Sequence, residues 1–520
     1  MPQIKFVKIS ELKNDPQNVL VGLKEAAPRS LDMSKLINLL DTLKDDLIIA
    51  VEDEYVDYTY RDAYYYFYAT KYHDYSRYCV KLSLFEKDIV ENGFVNLHSG
   101  NINFSFSDQI ISKYRGFIIL RPLSAVLGRN VISPWAKRDQ ERDIAVCQTT
   151  FKTSALGLKM ETKGFPHASQ DGEVMTCAET TIWSIVEYFG NRYPIFSPAL
   201  PSDIREALKN ATHERQWPSE GLNFLMISSS LKNLGFNPKV YLLQKTNSLG
   251  DPIGLMDEDI RETLVACIES GLPIVLCLQN KKIGHAICAM GVVNTGFIPN
   301  REVYWKDKDG NLINDKTTGH PKKLRSYNLS LETIVVNDDN VPAYKKTSIE
   351  NPAHYYTVGP DGDNDWDGVR ITKYIVPLPE RVHMYPSIAV EYSKKLLFNN
   401  TSDNLIYRTY LASSRSFRDH LMNSKILSNE NKNILLQLNI PRFIWVTEFE
   451  NDDEFNNGIT TGILILDATE SNQNISSVVV YIDKICNFAY FKERNCLDRL
   501  PLANLFQMEF YNKNLFNYKD

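Results

Sequence analysis

No apolar stretch in these 520 residues reaches the roughly 18–20 residues that cross a bilayer, so no membrane insertion is expected. The opening segment MPQIKFVKISELKNDPQ lacks the long apolar core of a secretion signal, which points to the cytoplasm. There is no run of Lys and Arg of the kind that neutralises phosphates, and the formal net charge is −6; nucleic acid is not an expected partner. The cysteines (Cys79, Cys147, Cys177, Cys267, Cys277, Cys288, Cys486 and Cys496) are scattered, with no CxxC pair among them. That spacing predicts neither a disulfide framework nor a structural zinc site, and no cofactor or metal is expected. The default role for each cysteine is a small buried hydrophobe. No internal repeat is visible.

What is present is an ordinary globular composition, 43% hydrophobic and 23% charged, long enough for about three domains. The first region, 1–150, reads as an α+β domain. It opens with a helix in SLDMSKLINLLDTLKDD after a Ser30 cap, and the tyrosine-rich stretch that follows reads as strands, with helix as the alternative. The middle region, 151–350, carries helical periodicity from Cys177, over 221–236 and over 257–271, the last two closing on Gly235 and Gly271. Its apolar runs PIVLCL and HAICAMGVV read as adjacent strands, and LETIVVNDD as another. The last region, 351–520, is mixed again. Helices followed by strands, rather than alternating with them, predict an α+β fold in which helices pack on an antiparallel sheet.

Cys177 is the exception to the burial default. Thr176 followed by Glu179 has the spacing of a capping box, T-x-x-E, which places Cys177 first in a helix. Ala178, Ile182, Ile185, Val186 and Phe189 then form an apolar face. A helix N-terminus favours an anion, hence a thiolate. The backbone N–H of that first residue has no intrahelical partner and is free to donate to an oxyanion.

A thiolate needs a base and the base an orienting group. Of nine histidines only His285 leads a strongly apolar strand, after a Gly, in IGHAICAMGVV. The strand LETIVVNDDN ends in Asn337, Asp338 and Asp339; Asp338 is favoured as the acid, and a register slip of one residue would favour a neighbour. Gln170, seven residues before the cysteine in HASQDGEVMTC, offers a side-chain amide as second oxyanion donor.

The order Gln170, Cys177 at a helix start, His285 after Gly at a strand start, and Asp338 after a strand resembles the papain-like cysteine peptidases. It is most similar to their C39-type, bacteriocin-processing-like peptidase domains. LKNLGFNPKVYLL, IRETLVACIESGLPIVLCL and GHAICAMGVV look like the stretch between Cys and His in that family, and the likeness covers roughly residues 165–345. Two features depart from it: Cys177 is followed by Ala178 and Glu179 rather than Gly-Pro, and a long polar segment, 295–330, intervenes as a lid or substrate-binding insertion. The resemblance implies a central papain-like domain and a cysteine peptidase acting on a protein or peptide through a thioester. A deamidase or transglutaminase-like acyl transferase uses the same residues. An inactive papain-like scaffold is the alternative from another class. The flanking regions match nothing, and the last is a candidate for substrate or partner recognition.

Weaker signals remain. Asp307 to Asn311, and Asp361, Asp363, Asp365 and Asp367, have partial calcium-loop spacing but read first as turns. Arg408, Arg415 and Arg418 lie close enough in sequence for a carboxylate or phosphate pocket. Asp467, ending the apolar strand GILILD, is a distant rival for the orienting acid.

Overall fold

Three large antiparallel-rich sheets, two two-stranded ones and the helices between them make up the computed structural model. It describes residues 5–87, 104–138, 143–155, 157–213, 215–243, 245–246, 252–253, 256–293, 298–307, 309–315, 319–356, 364–401, 404–471, 477–483, 488–493, 496–501 and 504–518. The fold class is α+β, as expected.

The first sheet has seven strands: β1 (Lys5–Lys8), β2 (Ile48–Tyr55), β3 (Cys79–Phe85), β4 (Tyr114–Leu120), β5 (Leu127–Ile132), then β8 (Leu158–Ala168) and, at the edge, β7 (Thr149–Ala155). Helix α1 (Ser34–Asp41) buries Leu36, Leu39 and Leu40 in the core beside this sheet. It starts later than expected, because Asp32, not Ser30, accepts from the Ser34 N–H at 2.9 Å. The tyrosine-rich stretch is a strand only at its two ends. Tyr58–Tyr66 is helix α2, capped by the Asp57 carboxylate on the Tyr60 N–H at 2.9 Å. Tyr60 and Ala63 are its buried residues, so a three-residue helical spacing overrides the β-propensity of tyrosine.

The middle sheet holds the candidate histidine. Its order is β15 (Lys345–Ser348), β14 (Thr333–Asn337), β11 (Gly284–Val293), β10 (Ile274–Gln279), β16 (Arg370–Pro379) and β9 (Phe236–Leu242). A short strand β6 (Ile144–Val146) also pairs with β11 and in turn with β23 (Phe516–Asn517). Helix α3 (Cys177–Arg192) packs between β8 of the first sheet and β11 of this one. Every residue from Ala178 to Phe189 is buried, so the helix is enclosed all round rather than on one face, with Glu179, Thr180, Thr181, Ser184 and Glu187 buried beside its apolar residues. Helices α4 (Phe224–Asn233) and α5 (Glu258–Glu269) follow, each succeeded by a glycine in the left-handed region, Gly235 at φ 95° and Gly271 at φ 70°.

The third sheet runs β12 (Glu302–Tyr304), β13 (Lys323–Ser326), β17 (Ile406–Ser413), β18 (Phe443–Glu450), β19 (Gly462–Asp467), β20 (Val478–Asp483), β21 (Phe488–Glu493) and β22 (Cys496–Pro501). Two pieces of the polar segment 295–330, β12 and β13, are therefore strands of this sheet, β13 pairing in parallel with β17, and Tyr327–Ser330 is a short helix. Helices α6 (Pro386–Asn400) and α7 (Ser414–Asn423) flank it. Sheet membership does not change at residues 150 and 350: β7 and β8 complete the first sheet, and β16 is internal to the middle one. Among the described residues no helix is long and apolar enough to cross a membrane.

Candidate active site

The approach to Cys177 is fixed by one carboxylate. Asp171 Oδ1 accepts from the N–H groups of Glu173, Val174 and Met175 at 3.0, 2.8 and 3.0 Å, folding the loop into a tight turn before the helix. Thr176 is extended at φ −92° and ψ −172°, and Glu179 reaches back to accept from the Thr176 N–H at 3.3 Å and from its hydroxyl. Cys177 thus begins α3, as its spacing requires, and is only partly buried.

The histidine is brought to it by the sheet. Thr181, one turn into α3, shares its hydroxyl between the Cys177 carbonyl at 2.8 Å and the Ala286 carbonyl at 3.2 Å, which ties the helix start to the residue after His285. The Cys177 side chain lies against the His285 ring and adds to its basicity.

Asp338 is the acid at the ring. In β14 Asn337 stands opposite Cys288, so the chain leaving the strand runs back along β11 towards His285. Asp338 Oδ1 accepts from His285 Nε2 at 3.0 Å and from the Asn340 N–H at 3.0 Å, while Oδ2 accepts from the Tyr355 and Tyr356 hydroxyls at 2.8 and 2.7 Å. Burial would push this carboxyl up, but the His285 charge and the hydrogen bonds outweigh it and hold it below the usual carboxylate range. Burial would likewise push the His285 ring down; Asp338, through charge and hydrogen bond, then Cys177 and Asp339, raise it well above the ordinary histidine value. With Nε2 bonded to Asp338, Nδ1 is the nitrogen left for the thiol.

The neighbours separate cleanly. Asn337 points away, donating to the Pro166 carbonyl at 3.0 Å and accepting from the Tyr344 N–H at 3.2 Å. Asp339 Oδ1 lies 3.6 Å from His285 Nε2, beyond a good hydrogen bond, and both its carboxylate oxygens are buried without a hydrogen-bond partner. Burial and the adjacent Asp338 push it up despite the His285 charge. Asp467 is occupied elsewhere, accepting from the Thr469 N–H and hydroxyl at 2.8 and 2.6 Å.

Gln170 joins the same cluster: its Nε2 donates to Asn340 Oδ1 at 3.0 Å, two residues past Asp338. The loop that carries it is gripped by Arg121, which donates to the Ser169 and Gln170 carbonyls at 3.1 and 3.3 Å. Lys35 of α1 donates to the Asp339 carbonyl at 3.1 Å and to Asn340 Oδ1 at 3.0 Å. The first region therefore buttresses the acid turn, a role its sequence carried no signal for.

Aromatic side chains close the far side. Trp366 meets the His285 ring edge-on, with centroids 5.3 Å apart and planes at 86°, and stacks on Tyr356 at 3.6 Å. Trp366 stands in the acidic run read from sequence only as a loop, and nothing in its spacing marked it. His167 was missed as well: its Nε2 donates to the Asp338 carbonyl at 3.1 Å, and Nδ1 accepts from Asn130 Nδ2 at 3.0 Å. Burial pushes this ring down to about 4, so it stays neutral and holds the turn.

Among the described residues, His285, Asp338 and Asp339 could also offer ligand atoms to a metal, all within 4.8 Å. The four hydrogen bonds already accepted by Asp338 suit an ionised acid orienting a ring better than a vacant metal ligand. Elsewhere, Asp307 closes a turn by accepting from the Asp309 and Asn311 N–H groups. Asp365 pairs with Lys282 at 2.8 Å, Asp367 accepts from the Gly368 N–H, and Asp361 and Asp363 lie outside the described residues. The three arginines do not form one pocket. Arg408 is enclosed near Glu269 and Glu448 at 3.8 and 3.5 Å, Arg418 donates to the Leu438 carbonyl, and Arg415 is exposed.

No protein-family model and no curated protein matches this chain.

Proposed function

We propose that the chain is a cysteine hydrolase of papain-like type, a peptidase acting on a protein or peptide substrate, with Cys177 as nucleophile. The observation that carries this reading is the set Asp338, His285 and Cys177: a buried acid bonded to Nε2 of a ring that the Cys177 side chain, at a helix start, makes more basic. Cys177 Sγ attacks the substrate carbonyl as thiolate, with its proton on His285. The oxyanion is received by the Cys177 N–H and the Gln170 amide, which has one N–H bonded to Asn340 and a second to give. His285 returns its proton to the leaving amine. Water, deprotonated by the ring, then cleaves the thioester. The C39-type likeness rests on the order of these residues, and a cytoplasmic setting agrees with the unpaired state of Cys79, Cys147, Cys177, Cys267, Cys277 and Cys288.

The thiols themselves supply a test. Burial pushes Cys277 up to about 11 and Cys147 up to about 12, and raises Cys79, Cys267 and Cys288 too. Iodoacetamide near pH 6.5 should label Cys177 first among these. Comparison of cytosolic peptide termini after exposure to wild type and to Cys177→Ala should show cleavages only with wild type. Slow labelling at Cys177 and identical termini would leave a non-catalytic scaffold as the reading. Selective labelling without new termini would point to deamidation or transamidation instead.

A further inference from the structure

A cavity lies at the far end of helix α3 from Cys177. Helix α3 runs from Cys177 to Arg192, which puts its two ends about 22 Å apart at 1.5 Å per residue. Past Arg192 the chain turns through Tyr193–Phe196 and, with the ends of α5 and β17 and the starts of α7 and β18, encloses a cavity of about 280 Å³. That is close to the lower bound of small-molecule sites. Its floor is apolar, including Phe196, Leu272, Leu411 and Phe443.

The charge around it is one-sided. Arg192, Arg415 and Arg442 line the cavity, and among the described residues no Asp or Glu does. Among the described residues none of the three has a carboxylate within ion-pairing distance. Arg192 is fixed by donating to the Gln148 and Lys513 carbonyls at 2.6 and 3.1 Å and to the Tyr193 hydroxyl at 3.1 Å, while Arg415 and Arg442 are exposed. In a chain with net charge −6, three guanidiniums around one cavity focus positive potential there. The first turn of α7 adds little, since the Ser414 N–H is taken by the Arg442 carbonyl and the Ser416 N–H by Ser413 Oγ. The attraction comes from the guanidiniums.

We propose that this cavity binds a small amphipathic organic anion: an aryl or acyl body on the apolar floor, with one carboxylate- or sulfonate-type head between Arg415 and Arg442. A neutral apolar ligand would leave the guanidiniums uncompensated, and an inorganic anion would leave the apolar floor uncovered. The site is separate from the cysteine chemistry and stands whether or not that reading holds.

Anilinonaphthalene sulfonate is the probe, titrated against the full-length protein by fluorescence and calorimetry. Saturable one-to-one binding is expected, weakening as salt is raised, with neutral phenylnaphthylamine binding at least tenfold more weakly. Arg415→Gln with Arg442→Gln should weaken the sulfonate at least tenfold and leave phenylnaphthylamine within twofold. Ile195→Asp, at a rim position 56% exposed and tolerant of a polar side chain, should weaken the sulfonate without loss of fold. Absence of saturable binding, equal affinity for the neutral analogue, or unchanged affinity in either variant would each overturn the proposal.

Discussion

Thr181 Oγ1 donates to the carbonyl of Ala286 at 3.2 Å, and this bond sets helix α3 against the histidine strand. Thr181→Val keeps the shape and removes the donor. It should cost about 1 kcal/mol of stability and slow Cys177 alkylation about tenfold, because the thiol and ring lose their mutual placement. Labelling kinetics alongside a denaturant melt measure both; a normal labelling rate would show that packing alone holds the pair.

Asp338→Asn removes the charge that outweighs burial at His285. The ring's raised basicity should fall, so the alkaline limb of the alkylation profile, where imidazolium gives up its proton, should move to lower pH. Alkylation rates measured from pH 4 to 10 will show it. An alkaline limb that stays in place would mean that Asp338 does not set the ring's protonation.

Tyr355→Phe with Tyr356→Phe strips both donors from Asp338 Oδ2. A carboxyl held down by its partners adds stability above its free value, and that stability is lost as pH falls through its folded value. The double variant should therefore unfold at a higher pH than wild type on acid titration. Acid unfolding at the same pH in both proteins would assign the low carboxyl to His285 and the Asn340 N–H.

Asp339 and His167 act on stability in opposite directions across mildly acidic pH. Asp339 is pushed up in the fold, so the native state holds the extra proton and stability falls as pH rises towards neutrality. His167 is pushed down to about 4, so the unfolded state holds the extra proton and stability rises between about pH 4 and 6.5. Asp339→Asn should gain about 1–3 kcal/mol at pH 7, since it removes a buried, unpartnered carboxylate, and little at pH 4. His167→Gln should flatten the rise instead. Melts at pH 4, 5.5 and 7 test the pair; Asp339→Asn that destabilises at pH 7 would show that its charge supports His285 more than its burial costs.

The helix at Cys177, the β10–β11 pair and the strand ending at Asn337 were all legible, because capping spacing and apolar runs are local signals. So was Asp338 as favoured acid; the choice over Asn337 came from the turn after β14, which sends Asn337 to Pro166 and Asp338 to the ring. Tyr58–Tyr66 was misread because tyrosine's strand preference is weaker than the pull of burying Tyr60 and Ala63 on one helical face. Trp366, Tyr355, Tyr356, His167 and Lys35 were not legible as site residues, since each reaches the acid turn from a segment with no spacing relation to it.

The sequence by itself determined where a thiol sits at a helix start, which strand carries a histidine and where an acid follows a strand, for these depend on neighbours a few residues apart. Only the tertiary structure decided which carboxylate meets the ring, which stays buried and unpartnered, and that arginines at residues 192, 415 and 442 line one cavity. Those outcomes depend on sheet order and on segments joined across hundreds of residues, where burial and charge act at distances of a few ångströms rather than along the chain.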